Sequence, residues 1–140
     1  ELLERRTQQT MAIGRYVATP SRVAAAERAA ADLEAAVVAQ FDDCDLFLMP
    51  TMTTVAPPIG RLTGRSSMAA QLASVPMISY TSLWNLTGNP AASVPAGFDD
   101  ATGLPLAIQL VAAPGREDTI FAAAGQLERA HPWADTHPAL

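Results

Sequence analysis

The run Leu46-Phe47-Leu48-Met49, entered through Asp42-Asp43-Cys44-Asp45 and closed by Pro50, decides the fold class. It is short, unbroken and apolar on both faces, and it follows directly on an amphipathic helix. That combination reads as a buried strand in a helix-covered sheet. Pro50 is expected to end the strand, because proline has no amide hydrogen to give to a ladder. Upstream, Arg22 to Phe41 is rich in Ala, Glu and Leu, and Ala26, Ala30, Leu33, Val37 and Phe41 recur with the helical period. Thr19 or Ser21 is placed to cap this helix, with Pro20 in its first turn. Glu1 to Val17 reads as a further helix anchored by Leu2, Leu3, Ile13 and Val17, its apolar stripe interrupted by Arg6, Gln9 and Thr10. It opens abruptly, without cap or leader, as a cut chain does and as an ordinary N-terminus also does.

Downstream of Pro50, Thr51 to Arg65 has the composition of a loop, with Pro57-Pro58, Gly60 and Gly64. Ser66 or Ser67 is placed to cap a short helix through Ser74, and Tyr80 to Thr87 reads as helical turns ending at Gly88. After the break at Asn89-Pro90, two strands are expected, Ala92 to Phe98 and Leu104 to Ala112, joined by the hairpin loop Asp99 to Gly103. Leu104, Leu106, Ile108 and Leu110 share one face of the second strand, and Ala107, Gln109 and Val111 the other. Both faces therefore read as buried, and Gln109 must find a hydrogen-bond partner. Glu117 to Ala130 is a final helix with the stripe Ile120, Ala124 and Leu127 and with Glu117 and Asp118 at its positive end. The class is α/β, helices packed on a sheet, with some strands pairing outside these 140 residues.

Composition narrows the function. The chain is as long as one ordinary domain, and only 16% of it is charged, against a usual ~25%. So charge-poor a surface points to burial against further protein. The net charge of −5 and the scattered arginines speak against nucleic acid, and no apolar run reaches the ~20 residues of a membrane span. A single cysteine, Cys44, allows neither an internal disulfide nor a zinc site of its own and fits a reducing, cytoplasmic compartment. The sequence contains no lysine, so no Schiff base, Ser-Lys pair or lysine base comes from it.

The residue constellations that carry chemistry are sparse. His131 and His137, the only histidines, lie in a proline-containing tail and read as solvated or capping residues. Asp42, Asp43 and Asp45, and Asp99 with Asp100, sit at turns, where aspartate bonds local backbone. Carboxylates beside Cys44 disfavour its thiolate, so it reads as a small buried thiol. No phosphate-binding glycine pattern occurs. Two features remain: the end of the strand at Pro50-Thr51-Met52, since open α/β sheets place sites at the carboxyl ends of strands, and the run Asn85-Leu86-Thr87-Gly88-Asn89-Pro90-Ala91. The second reads as a helix stop and turn, or as amide groups shaping a pocket.

Taken in order, Asp45 to Thr51, the loop Ala56-Pro57-Pro58-Ile59-Gly60, the run Asn85 to Gly97, and Gly103 to Val111 resemble the C-terminal third of amidase-signature enzymes. Asp118, Leu127-Glu128 and Pro132-Trp133 continue the resemblance. It implies that residues 1–140 are the C-terminal portion of an amidase-signature domain, with a mixed sheet wrapped by helices. The chemistry it implies is hydrolysis of a small-molecule amide by a Ser, cis-Ser and Lys triad, with no metal or organic cofactor. That triad lies N-terminal to the matched region, so no catalytic residue transfers, and Ser66-Ser67 is not taken for it. By the same resemblance Met52, Thr53, Trp84 and Asn85 are the candidate substrate-pocket residues, while Asp45 and Gln109 are structural. A piece of an amidase should expose unpartnered core and associate, as a homo-oligomer or larger assembly. The alternatives are a non-catalytic binding or scaffold module of the same fold, expected to be a monomer, and an unrelated hydrolase using the tail histidines.

Overall fold

A computed structural model describes residues 3–136. The expected apolar anchor Leu2 and the tail residue His137 lie outside the described residues. The elements run α1 (Arg5–Val17), α2 (Pro20–Val38), a 3-10 turn (Ala39–Asp42), β1 (Leu46–Pro50), α3 (Ser67–Ser74), α4 (Ser79–Thr87), β2 (Ala91–Phe98), β3 (Pro105–Ala112) and α5 (Glu117–Ala130). The three strands form one antiparallel sheet in the order β1-β3-β2, so the last strand made is the central one.

Each face of β3 has its own core. Leu110 and Ala112 pack with Val94 of β2 and Ile120 of α5, with Ala124, Leu127 and Trp133 closing the edge. Val111 packs on the opposite face with Val37 of α2 and Trp84 of α4, flanked by Phe41, Phe47 and Met49. The two-sided burial expected for this strand therefore holds at Leu110, Val111 and Ala112, each at most 1% exposed. Gln109 finds its partner too, its Nε2 donating to the Tyr80 carbonyl (3.1 Å) and tying α4 to the sheet.

The expectation for β1 is corrected. Among the described residues it is an edge strand, paired by β3 on one side only, and its Leu48 is 57% exposed. Pro50 is the last residue of the strand, which ends there as expected. The Thr51 amide donates to the Ala107 carbonyl (3.1 Å), so in the alternating antiparallel pattern Pro50, opposite Ile108, occupies a position whose N–H would point away from β3. The same reasoning applies across the sheet. The Ala112 amide donates to the Pro90 carbonyl (3.1 Å), which leaves Pro95 without an N–H on the outer edge of β2. Both outer edges of the sheet carry a proline where a pairing strand would need a donor.

The helices differ from expectation in what they cover. Neither Thr19 nor Ser21 caps α2 through its side chain; the two hydroxyls lie 3.3 Å apart instead. Of the stripe Ala26, Ala30, Leu33, Val37 and Phe41, Val37 is buried, Ala30 and Phe41 are half-buried, and Ala26 and Leu33 are exposed. Helix α1 buries nothing. The three residues that interrupt its stripe hold it in place. Arg6 donates to the Leu62 carbonyl, Gln9 Oε1 accepts from the Ser67 amide (3.1 Å), and the Thr10 hydroxyl bonds that of Ser67. The short helix α3 is capped by Ser66, whose hydroxyl accepts from the Ala69 amide (3.3 Å). Gly88 ends α4 in the left-handed region (φ 70°), which a Cβ would disfavour.

Two stability predictions follow from this packing. Trp84 is 7% exposed, and among the described residues its indole N–H has no acceptor. Trp84→Phe removes that donor while keeping the ring against Phe47, whose centroid lies 6.0 Å away, so urea midpoints should place it within about 1 kcal/mol of wild type. Trp84→Ala should cost about 3–5 kcal/mol. A Phe variant as damaged as the Ala variant would show that the indole has an acceptor from elsewhere. At the start of α5, the Arg116 guanidinium donates to the Asp118 carboxylate (3.2 Å) and, with the Thr119 backbone, holds that carboxyl below the usual aspartate value. A lowered folded pKa stabilises above the ordinary aspartate range near pH ~4 and ceases to as pH falls through the lowered value. The stability difference between wild type and Asp118→Asn should thus be present at neutral pH and vanish in acid, read from melting curves across pH.

Candidate functional site

The helical cover stops short of one end of the sheet. β3 is buried from Gln109 to Ala112 and exposed at Pro105 and Leu106. At that uncovered end the chain leaves β1 at Thr51 and runs as an irregular segment to Ser66. The segment is pinned at its start. Thr53 donates through its hydroxyl to the Pro76 carbonyl (2.6 Å) and through its amide to the Met77 carbonyl (3.4 Å). This draws residues 51–57 toward the turn between α3 and α4.

Between that segment and the strand ends lies a depression of about 570 Å³, walled by Met52, Thr53, Val55, Met77, Leu106 and Ile108 among others. Thr51 and Ser93 also line it, their hydroxyl oxygens 3.0 Å apart. Ser93 lies opposite Gln109 on β2, and Thr51 follows β1 one pair further along, so they meet diagonally across β3. Among the described residues, no Asp, Glu, Lys, Arg or His lines the depression. A second depression of about 320 Å³ lies between the start of α1 and the Gly64–Ser66 turn, with Arg5, Arg6 and Arg65 on its walls. There Arg6 is spent on the Leu62 carbonyl, and Arg65 Nε donates to the Arg61 carbonyl (3.2 Å).

Of the four candidate pocket residues, the structure brings Met52 and Thr53 together at the larger depression and puts the other two elsewhere. Trp84 is in the core under Val111, stacked on Phe47. Asn85 is its exposed neighbour on α4. Burial of the large apolar ring outcompetes a place in the wall, because α4 is the element that covers this face of β3. The run after Asn85 is a structural joint. Thr87 donates to Asn89 Oδ1 (2.7 Å), and Asn89 Nδ2 donates to the Ala112 carbonyl (2.9 Å), all of it buried. Ser93, Met77 and Leu106 were not among the sequence-derived candidates, and Thr51 was named only within the strand end Pro50-Thr51-Met52. Strand order brings Ser93 and Leu106 to the depression, and the bonds of Thr53 bring Met77.

The remaining polar groups are local. Asp99 Oδ2 accepts from the Thr102 amide (2.9 Å) and hydroxyl (2.6 Å), holding the hairpin loop. Cys44 is half-buried, its thiol 3.5 Å from the Gln40 carbonyl. His131 is exposed at the end of α5, where its amide donates to the Leu127 carbonyl (2.8 Å). Among the described residues no three His, Cys, Asp or Glu side chains come together to hold a metal ion, and no helix is long and apolar enough to cross a membrane.

The antiparallel sheet with helices on both faces has its counterpart in a solved hydrolase structure. The family model described as Amidase matches residues 1–121, and the chain belongs to that family. AmiB2 of Mycobacterium tuberculosis, a protein assigned to the amidases, is 38% identical over 138 residues, which is 99% of this chain and 29% of that protein. The 6-aminohexanoate-cyclic-dimer hydrolase of Paenarthrobacter ureafaciens is 40% identical over 104 residues, covering 69% of this chain and 21% of the hydrolase. A solved structure of 6-aminohexanoate cyclic dimer hydrolase matches with a TM-score of 0.84 at 31% identity, over 97% of this chain and 29% of that one. The chain thus spans less than a third of the length of the relatives it matches.

The buried joint gives a prediction. Asn89→Ala leaves the Ala112 carbonyl without its side-chain donor, while the Thr87 hydroxyl keeps the Leu83 carbonyl (3.1 Å) as an acceptor, and the change should cost about 1–3 kcal/mol in urea denaturation. A change of a few tenths would mean that water replaces the bond to Ala112.

Proposed function

We propose that this chain is the C-terminal part of an amidase that hydrolyses a carboxylic amide to the acid and ammonia or an amine, and that it supplies sheet core and one wall of the substrate pocket. The observation that carries the reading is the depression at the carboxyl end of β1, in a chain that belongs to the amidase family and has no lysine. In this reading Met52 and Thr53 touch substrate. Trp84 acts behind the wall, keeping Phe47 and the neighbouring Met49 in place, and Asn85 has no part. The serine nucleophile and lysine base come from protein N-terminal to these residues. The serine oxygen attacks the amide carbon, the C–N bond breaks with a proton passing to the departing nitrogen, and water then frees the acid from the acyl-enzyme. The uncovered stripe of α2 is the surface on which that N-terminal part packs, and copies of the isolated chain would associate through it.

The names of the relatives agree with this assignment, one an amidase and one a hydrolase of a cyclic amide. Residues 1–140 alone should release no ammonia or amine from any amide and should self-associate in size-exclusion chromatography. The longer protein carrying the upstream sequence should be active. Activity of the 140 residues by themselves, or a clean monomer together with an inactive longer protein, would sink the proposal and favour a binding module.

A further inference from the structure

The character of the wall narrows the substrate. Fifteen of the described residues line the larger depression and none of them is ionisable, although the chain at large is 16% charged, so fifteen average positions would carry about two. The wall is mostly thioether, methyl and proline surface. Its best-placed polar feature is the Thr51–Ser93 hydroxyl pair. In such a pair one proton is used in the mutual bond and the other is left to donate outward. The Thr53 hydroxyl proton is already committed to the Pro76 carbonyl. A neutral acceptor such as a carbonyl or ether oxygen can be satisfied here. An ammonium or carboxylate would lose hydration against this wall and find no opposite charge.

Resting on the amidase reading above, we propose that the part of the substrate held against this wall, away from the scissile bond, is uncharged and mainly apolar, so that the enzyme selects neutral carboxamides over matched amides with a charged far end. Met52 and Leu106, both partly exposed on the wall, set this selectivity, and the Thr51–Ser93 pair serves one neutral acceptor.

The test uses the full-length protein and three amides of matched length: hexanamide, 6-aminohexanamide and 5-carboxypentanamide, with ammonia release as the readout. The expected kcat/KM for hexanamide exceeds that for either charged amide by about 100-fold or more, since an apolar pocket already disfavours an added neutral polar group by roughly 100-fold and an unpaired charge is costlier to desolvate. Met52→Arg, on a side chain exposed enough to accept it, should shift the ratio of 5-carboxypentanamide to hexanamide at least about tenfold toward the carboxylate, and should not do so for 6-aminohexanamide. Equal or better turnover of a charged amide by the wild type overturns the inference and leaves the amidase reading intact. The expected preference with a ratio that Met52→Arg does not move also overturns it, because selectivity then resides in another wall. Wild-type ratios stand even if the variant fails to fold, and Leu106→Arg makes the same test from the opposite side of the depression. No turnover of these or any other amide removes the amidase reading, and this inference with it.

Discussion

The structure depends on β3. It is the only described strand with a hydrogen-bonded neighbour on each side, and its last residues are sealed by helices on both faces. Leu110 and Ala112 face α5 while Val111 faces α2 and α4, so three consecutive side chains join two otherwise separate cores. Removing water from both sides of one strand leaves no polar position free there. This is why Gln109 must reach the Tyr80 carbonyl, and why Asn89 must bond the Ala112 carbonyl.

The depression follows from the same arrangement. Helices α2, α4 and α5 all pack toward the carboxyl-terminal half of β3, and its first residues are left outside their cover. In an antiparallel neighbour that uncovered end is where β1 finishes, so the segment beginning at Thr51 crosses bare sheet. The two backbone and hydroxyl bonds of Thr53 hold the segment across the opening without filling it. Depression and core are two ends of one strand, dry at one and open at the other.

Much of this was legible in the sequence. The alternation of Leu104 to Val111 foretold a strand buried on both faces, Gly88 and Ser66 marked a helix end and a helix start, and Ile120, Ala124 and Leu127 named the face of α5 that meets the sheet. The error at β1 came from treating an apolar run as evidence of two-sided cover. Leu46 to Met49 records what the strand is built to meet, and residues 3–136 supply only part of it. The stripe of α2 misled in the same way. Of the residues that line the depression, Met52 and Thr53 were reachable because they adjoin a strand end. Ser93 and Leu106 were not, because their place depends on which strands are neighbours, and pairing over more than fifty residues leaves no periodic trace. Trp84 lies in the core and not at the depression, because an apolar ring beside a sheet face is drawn out of water.

The strand order also has a consequence for the time course of synthesis. β1 is complete at Pro50, but the strand it pairs with ends at Ala112, 62 residues later. At about 5–20 residues per second, Leu46-Phe47-Leu48-Met49 waits roughly 3–12 s on the ribosome before its partner exists. During that interval it is an apolar ribbon with free backbone groups on both sides, the kind of segment that chaperones bind and nascent chains aggregate through. The hairpin of β2 and β3 closes across Asp99 to Gly103 with no such wait, so among the described strands the exposure falls on β1.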